Sequence, residues 1–482
     1  MIVMKFGGTS VAAAGPIRLV GQIVRRYAAR RPVVVVSALA GVTDELMAAA
    51  AAAAAGKRSE VRRRIDRLAA RHGGVARRFG FGARERAAMQ RELDRDLAEL
   101  RDVLHGVTLL REPSRRSLDL VASFGERLAS HLVAAHLRQT GLDGRAVDAR
   151  NLIVTDDGHG AAVVDLAATG VRTRALLRPM LRRGAVPVVT GYIGRTRQGA
   201  TTTLGRSGSD YTAALVGEAL RAREVWIWKE VDGVCTADPG VVPGARVVPR
   251  ISYQEAAEMA HFGAEVIHPK TMQPVRRAGI PIRIKNTFRP GAPGTVIGAR
   301  PAGGRGALMV SSMSGMSLVT IEGEGIFGQP GMVMRLLAPV AQAGANIYMI
   351  SMSSSEYNIS FALRQEDVER TMKALASDFR QRGLLGAQVA RVVVERGMAA
   401  VAVVGAGMKG QRGIAGRIFS ALGERGVNVV AIAQGSSEYN ITVIVKERHV
   451  RTAVRAIHER LNGSGAARRG ARPKSLSRLR AV

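Results

Sequence analysis

The chain has 482 residues, 46% hydrophobic and 23% charged, a balance that excludes wholesale disorder, a collagen-like repeat and a disulfide-framework mini-protein. That length exceeds a single compact core and implies about two to four domains. The formal net charge of +32 invites a nucleic-acid partner, yet only nine of the 71 basic residues are lysine and the arginines run along the whole chain. Compositional bias accounts for the charge, and no nucleic-acid partner is expected. One cysteine, Cys235, precludes an internal disulfide and points to a reducing compartment. No apolar run approaches a membrane span and the N-terminus lacks the regions of a signal peptide, so a mature cytoplasmic protein away from membranes is expected.

From Met1 to about residue 297, short β-branched runs (Val33 to Val36, Val186 to Val189, Val225 to Trp228, Ile280 to Ile284) alternate with helical stretches, which predicts an α/β sheet covered by helices. The first strand ends in Lys5-Phe6-Gly7-Gly8-Thr9-Ser10. Glycines let backbone N–H groups approach phosphate oxygens, and the lysine supplies a fixed cation where charge develops during transfer. The lysine precedes the glycines, so this is not a Walker A loop. A second loop, Ser37 to Thr43, follows the next strand and ends in small and hydroxyl-bearing residues. Between about residues 57 and 110, Ile65, Leu68, Leu93, Leu97 and Leu100 recur at helical spacing among charges of both signs, which predicts a helical insertion. Phe124-Gly125-Glu126-Arg127 then places a carboxylate after a glycine, at an expected helix start, suited to receive an ammonium group.

A third glycine-rich element, Thr201 to Thr212, carries Arg206, Ser209 and Asp210 ahead of an Ala/Leu helix. An arginine grips a carboxylate in bidentate fashion, and an aspartate at the helix start can orient a lysine or help hold a metal. Trp228-Lys229-Glu230-Val231-Asp232-Gly233-Val234-Cys235 ends a further strand in a turn-rich loop where a purine can lie along backbone. Open sheets bind ligands at the carboxyl ends of their strands, so these elements are expected to converge on one crevice.

Breakers between residues 298 and 306 suggest a linker, taken as 298–312, after which the chain repeats itself at a constant offset of 82 residues. Gly325 matches Gly407, Gly328 matches Gly410, Asn346 matches Asn428, and Ser-Ser-Glu-Tyr-Asn-Ile occurs at 354–359 and again at 436–441. Each copy, 313–395 and 396–464, reads as a small βαββαβ module. Both copies satisfy the letters of a dinucleotide fingerprint, at 323–328 and 405–410, but a module of this size is too short for that fold, so the glycines are read as turns entering helices. Residues 465–482, basic and rich in Gly, Ala, Ser and Pro, read as a disordered tail.

These motifs, with Phe262-Gly263-Ala264-Glu265-Val266-Ile267-His268-Pro269, resemble in their order those of the aspartate kinases over about residues 1–460. The insertion and Ile432-Ala433-Gln434-Gly435-Ser436 look most like the kinase half of bifunctional aspartokinase–homoserine dehydrogenases, without room for the dehydrogenase. The resemblance implies an amino-acid-kinase (carbamate-kinase-like) α/β sandwich followed by two ACT domains. It also implies ATP-dependent phosphorylation of the L-aspartate side chain to 4-phospho-L-aspartate, the first step of lysine, threonine and methionine biosynthesis, with Mg²⁺ on the ATP. By similarity, Lys5 and Asp210 are catalytic, and Thr43, Glu126, Arg206 and Ser209 bind aspartate. Lys5, Gly7, Gly8, Ser10, Lys229, Glu230, Asp232, Gly233 and Cys235 take ATP. Asn346, Asn428 and Gln434 are the effector contacts, for threonine or lysine, in a homodimer or homotetramer built through the ACT domains. Chemistry agrees, because a side-chain carboxylate of pKa about 3.9 is already ionised and needs no general base. The nucleotide side departs from the family pattern at Lys229, Glu230, Cys235, Gly240 and Glu265, which removes two positive charges near the triphosphate. Another small-acid kinase and a catalytically silent amino-acid sensor are the competing readings.

Overall fold

A computed structural model describes residues 1–263, 267–299, 308–323, 330–352, 358–384 and 389–463. Glu265, Gly325, Gly328 and the basic tail lie outside the described residues. The chain forms two compact units, the first made of Met1–Val234, Val247–Ala257 and Glu265–Ala302, the second of Cys235–Arg246, Glu258–Ala264 and Gly303–Val482.

The first unit is built on strands β1 (Ile2–Phe6), β2 (Pro32–Val36), β3 (Gly144–Val147), β5 (Val186–Thr190), β8 (Val225–Lys229), β9 (Arg250–Ser252), β10 (Ile282–Asn286) and β11 (Thr295–Gly298). They form one sheet in the order β3-β5-β2-β1-β8-β10-β11-β9. The central pairs are parallel, with Lys5 opposite Val35 on one side and Ile227 on the other. Strands β1, β2 and β5 are buried at every position, which explains why they read as continuous apolar runs instead of alternating ones. A small second sheet holds β4 (Val154–Thr155), β6 (Ile193–Thr196) and β7 (Thr201–Thr203).

Ile2, Met4 and Phe6 share a core with helices α1 (Ala14–Arg26), α2 (Val42–Ala54), α3 (Arg58–Arg77), α4 (Ala83–Leu110) and α5 (Arg115–Gln139). Because side chains alternate along a strand, Val3 and Lys5 turn to the other face. That face carries α6 (Leu166–Arg182), α7 (Gly208–Leu220) and α9 (Pro269–Arg277); α8 spans Tyr253–His261. The expected insertion at 57–110 is the α3/α4 hairpin, with Ile65, Leu68, Leu93, Leu97 and Leu100 all inside the core. The expectation that Glu126 opens a helix is corrected: it lies in the middle of α5, a helix capped by Ser114. Gly125 is not a breaker there. A Cβ at Gly125 would meet Ala38 Cβ at 2.7 Å, so glycine is needed for the helix to touch the 37–43 loop.

The second unit contains β12 (Met309–Glu322), α10 (Met332–Gln342), β13 (Met349–Met352), β14 (Asn358–Arg364), α11 (Val368–Gln381) and β15 (Arg391–Val404). It continues with α12 (Ile414–Glu424), β16 (Ala431–Gln434), β17 (Asn440–Lys446) and α13 (Val450–Asn462). The six strands form a single sheet, β13-β14-β12-β15-β17-β16. Strand β12 begins at Met309, inside the span read as linker, and β15 runs through the boundary read at 395/396. The first part of β12 pairs with Met398–Val404 and its last part with Arg391–Glu395 and β14, with register shifts between Met313 and Leu318. The two repeats therefore share their longest strands instead of following one another as separate beads, and two cores lie along the sheet, one around Phe361 and Phe379, the other around Val401 and Ile418.

Candidate active site

Lys5 stands one residue from the carboxyl end of β1 and Asp210 in the first turn of α7. Lys5 Nζ lies 2.6 Å from Asp210 Oδ1, with both side chains less than a tenth exposed. Lys229, the last residue of the neighbouring strand β8, places its Nζ 3.9 Å from Asp210 Oδ2. Three elements thus meet around one carboxylate. The amino end of α7 adds the positive end of its dipole. Ser207 holds a left-handed φ of 55° just before it.

A cleft of about 700 Å³ opens above this cluster. Its walls include Lys5, Gly8, Ser37 to Gly41, Thr43, Glu126, Gly160, Tyr192, Gly205 to Asp210 and Lys229. Glu126 is 4% exposed and its Oε2 has no hydrogen-bond partner among the described residues. Burial pushes the Glu126 carboxyl up to about 8, against the backbone N–H groups at Ala38 and Glu126 and the Lys5 charge, which favour ionisation. A carboxyl in that state accepts a ligand ammonium by giving up its proton. Arg206 lines the cleft and is exposed at its rim.

Of the residues expected from the sequence, Lys5, Gly8, Thr43, Glu126, Arg206, Ser209, Asp210 and Lys229 line this one cleft. The others lie around it or elsewhere. Gly7 N–H donates to Trp228 O at 3.3 Å, Ser10 Oγ pairs with Thr287 Oγ1 at 2.8 Å, and Thr9 Oγ1 donates to Glu230 Oε2 at 2.8 Å. Ser10 and Glu230 thereby hold the first glycine loop against β8 and β10. Asp232 accepts from Asn286 Nδ2 at 2.8 Å and pairs with Arg289, and Gly233 packs on Thr295. Cys235 belongs to the second unit, where burial raises its thiol. In that unit Asn346 and Asn428 sit exposed in the turns before β13 and β16, and Gln434 is exposed at the end of β16, matched by Met352 in the first repeat.

Sequence reasoning missed Tyr192, Gly160 and Asp119. Tyr192 follows the carboxyl end of β5 with a φ of 68°, and burial raises its phenol. Its position at a strand end was the available signal. Asp119, two helical turns before Glu126 on α5, accepts from His159 Nδ1 at 2.9 Å, Gly160 N–H at 3.0 Å and Thr203 Oγ1 at 2.6 Å. It fixes one wall of the cleft, and nothing in the sequence separates it from an ordinary helix acid. A larger cavity of about 770 Å³ lies along another face of α5, where two ion pairs are internal, Arg127 with Asp96 at 2.7 Å and Arg150 with Asp148 at 2.6 Å.

Residues 1–286 match the amino acid kinase family, and residues 319–379 and 401–461 each match the ACT domain. Over 465 residues the chain is 35% identical to bifunctional aspartokinase/homoserine dehydrogenase 2 of Arabidopsis thaliana, covering 95% of this chain and 50% of that protein. The chain thus spans about half the length of the bifunctional relatives it matches. It is 32% identical to aspartokinase 2 of the same plant, over 95% of this chain and 83% of the relative. The structure of E. coli aspartokinase III in complex with aspartate and ADP superposes with a TM-score of 0.80 at 30% identity, covering 96% of this chain and 99% of that one. The same enzyme in complex with lysine and aspartate superposes with a TM-score of 0.76. No helix among the described residues is long and apolar enough to cross a membrane. The chain belongs to the amino acid kinase family and, within it, to the aspartokinases.

Proposed function

We propose that this chain transfers the γ-phosphoryl group of ATP to the side-chain carboxylate of L-aspartate, giving 4-phospho-L-aspartate and ADP. The observation that carries the reading is the convergence of Lys5, Asp210, Glu126 and Arg206 on one cleft, in a chain similar to an aspartokinase whose complex holds aspartate and ADP. Arg206 takes the α-carboxylate as a bidentate partner, and Glu126, once deprotonated, takes the ammonium. The side-chain carboxylate is then left facing the Gly7-Gly8 loop, with Thr43 and Ser209 beside it. One of its oxygens forms the new bond to phosphorus as the bond from phosphorus to the bridging β,γ-oxygen breaks, and the electron pair leaves on ADP. No proton needs to move. Catalysis is positioning together with charge neutralisation by Lys5, Lys229 and the α7 amino end. Asp210 keeps both lysines aimed at the site of transfer.

Mg²⁺ fits as an ion carried by the triphosphate, since it binds through phosphate oxygens, water and one or two carboxylates, and Asp210 is the carboxylate at the transfer site. When bound it offsets phosphate charge. The second unit is assigned an amino-acid effector. Lysine has the support of the lysine complex of E. coli aspartokinase III, and threonine remains the alternative, with Asn346, Asn428 and Gln434 as contacts. Edge strands β13 and β16 leave Ile350, Met352 and Ile432 exposed, a pattern suited to pairing with a second copy of the chain. A chain with one cysteine suits the cytoplasm.

The test is ADP release measured with L-aspartate, L-glutamate and N-acetylglutamate, with lysine and threonine added separately. Turnover confined to aspartate supports the reading. Equal turnover of the longer acids would replace it with another small-acid kinase, and effector binding without turnover of any acid would replace it with a sensor.

A further inference from the structure

The α3/α4 insertion has no part in the chemistry above, yet one face of α3 packs on the loop that walls the cleft. Arg64, Arg67 and Arg71 follow one another at three- and four-residue steps and so share a face. Arg64 Nη1 lies 3.0 Å from Glu45 Oε2, and Arg67 Nη2 lies 2.7 Å from Glu45 Oε1, in the first turn of α2. One turn further along, Arg71 Nη2 donates to Ala40 O at 2.7 Å. The Ala40 peptide is held from its other side as well, because Ala40 N–H donates to Gly8 O at 3.2 Å. The two loops touch so closely there that a Cβ on Gly8 would meet Ala38 O at 3.0 Å. The first backbone bonds around the start of α2 go to Leu39 O and Gly41 O, which leaves Ala40 O to the guanidinium.

We propose that Arg71 is a positioning residue for substrate: it fixes the Ser37–Thr43 loop from outside and, through Ala40, the Gly7-Gly8 loop within. This rests on the kinase reading above. An exposed ion pair contributes little to stability, so Arg67 is expected to hold α2 only weakly, and the part-buried Arg64–Glu45 pair ties down the first turn of α2 without touching the loop itself. A charged donor on a loop carbonyl instead narrows the backbone conformations of a wall that must meet substrate to within a fraction of an ångström. Thr43 lies three residues beyond the anchored carbonyl, at the start of α2, so the aspartate side of the cleft should feel the loss most.

The experiment uses the full chain with Arg71→Ala and Arg71→Lys, comparing steady-state kinetics and hydrogen exchange of the peptide covering residues 37–43. Arg71→Ala should raise KM for aspartate about three- to tenfold, as expected for a lost charge-assisted hydrogen bond, with kcat and KM for ATP changed less than about twofold. Its 37–43 amides should exchange faster, its melting temperature should stay near that of the parent, and Arg71→Lys should recover part of both effects. Unchanged KM and unchanged exchange would overturn the proposal. So would a joint fall of kcat and melting temperature that lysine does not rescue, which marks a merely structural arginine. If the parent protein does not phosphorylate aspartate, the kinase reading fails, and the exchange comparison still decides the role of Arg71.

Discussion

Lys5 Nζ and Asp210 Oδ1 are 2.6 Å apart in a pair that solvent barely reaches. Buried ion pairs owe their balance to both partners, since removing one leaves an uncompensated charge in a poorly solvated place. Lys5→Met is therefore expected to lower stability by about 3 kcal/mol, with Lys229 at 3.9 Å moderating the effect. The double variant Lys5→Met/Asp210→Asn should be more stable than Lys5→Met alone. Thermal melts of the two single variants and the double variant check this. Turnover should fall about 10²- to 10³-fold in Lys5→Met, because the cation facing the transferring group is gone.

Glu126 sets a pH dependence whose direction follows from its burial. With its carboxyl raised to about 8, the free protein holds it neutral below that pH, and binding an ammonium must expel the proton. KM for aspartate should therefore fall as pH rises toward 8, by at most about tenfold per unit, and level off above it. Stability runs the other way. Between the ordinary carboxyl value of 4.5 and about 8 the unfolded chain has lost a proton that the folded one keeps, so this group's contribution is lost as pH rises through that window. Glu126→Gln should remove both slopes while raising KM at every pH; kinetic profiles and melts from pH 6 to about 9 read them out.

Gly125 is where α5 meets the substrate loop. Gly125→Ala should cost about 1–3 kcal/mol through overpacking against Ala38 Cβ, 2.7 Å from the added methyl, and should raise KM for aspartate by moving the loop. Gly15, where an added Cβ meets nothing within 4 Å, is the control, and its alanine variant should be neutral or slightly stabilising. Denaturant melts and kinetics of the two variants separate the cases.

Lys229 stands at the end of β8 beside Asp210, on the side where the chain departs from the aspartokinase pattern. If it replaces a missing triphosphate contact, Lys229→Ala should raise KM for ATP about three- to tenfold and leave KM for aspartate within about twofold. Initial rates at varied ATP and fixed aspartate, then the reverse, test it.

Much of this site was legible in the sequence because its parts are glycine and hydroxyl clusters at the ends of apolar runs, and a parallel sheet delivers such ends to one edge. Lys5, Arg206, Asp210 and Lys229 come together for that reason. Glu126 was found by its motif but misplaced, since Gly125 reads as a helix boundary until its contact with Ala38 is seen. Tyr192 carries no motif. The repeat at an offset of 82 was plain, whereas the sharing of β12 and β15 between the two copies was not, because strand pairing depends on how far each strand extends beyond its own module. Ser10 and Glu230 were read as nucleotide contacts from their loops; their hydroxyl and carboxylate bond to Thr287 and Thr9.

Transfer to a carboxylate held by Arg206 and Glu126 in front of Lys5 is the step on which the kinase activity depends. Hydroxylamine trapping of the acyl phosphate formed from ATP and L-aspartate measures that product itself. The expected result is an aspartyl hydroxamate that accumulates with the parent chain and almost disappears with Lys5→Met and with Arg206→Ala. Hydroxamate formed at parental rates by either variant, or none formed by the folded parent with ATP and Mg²⁺ present, would contradict it.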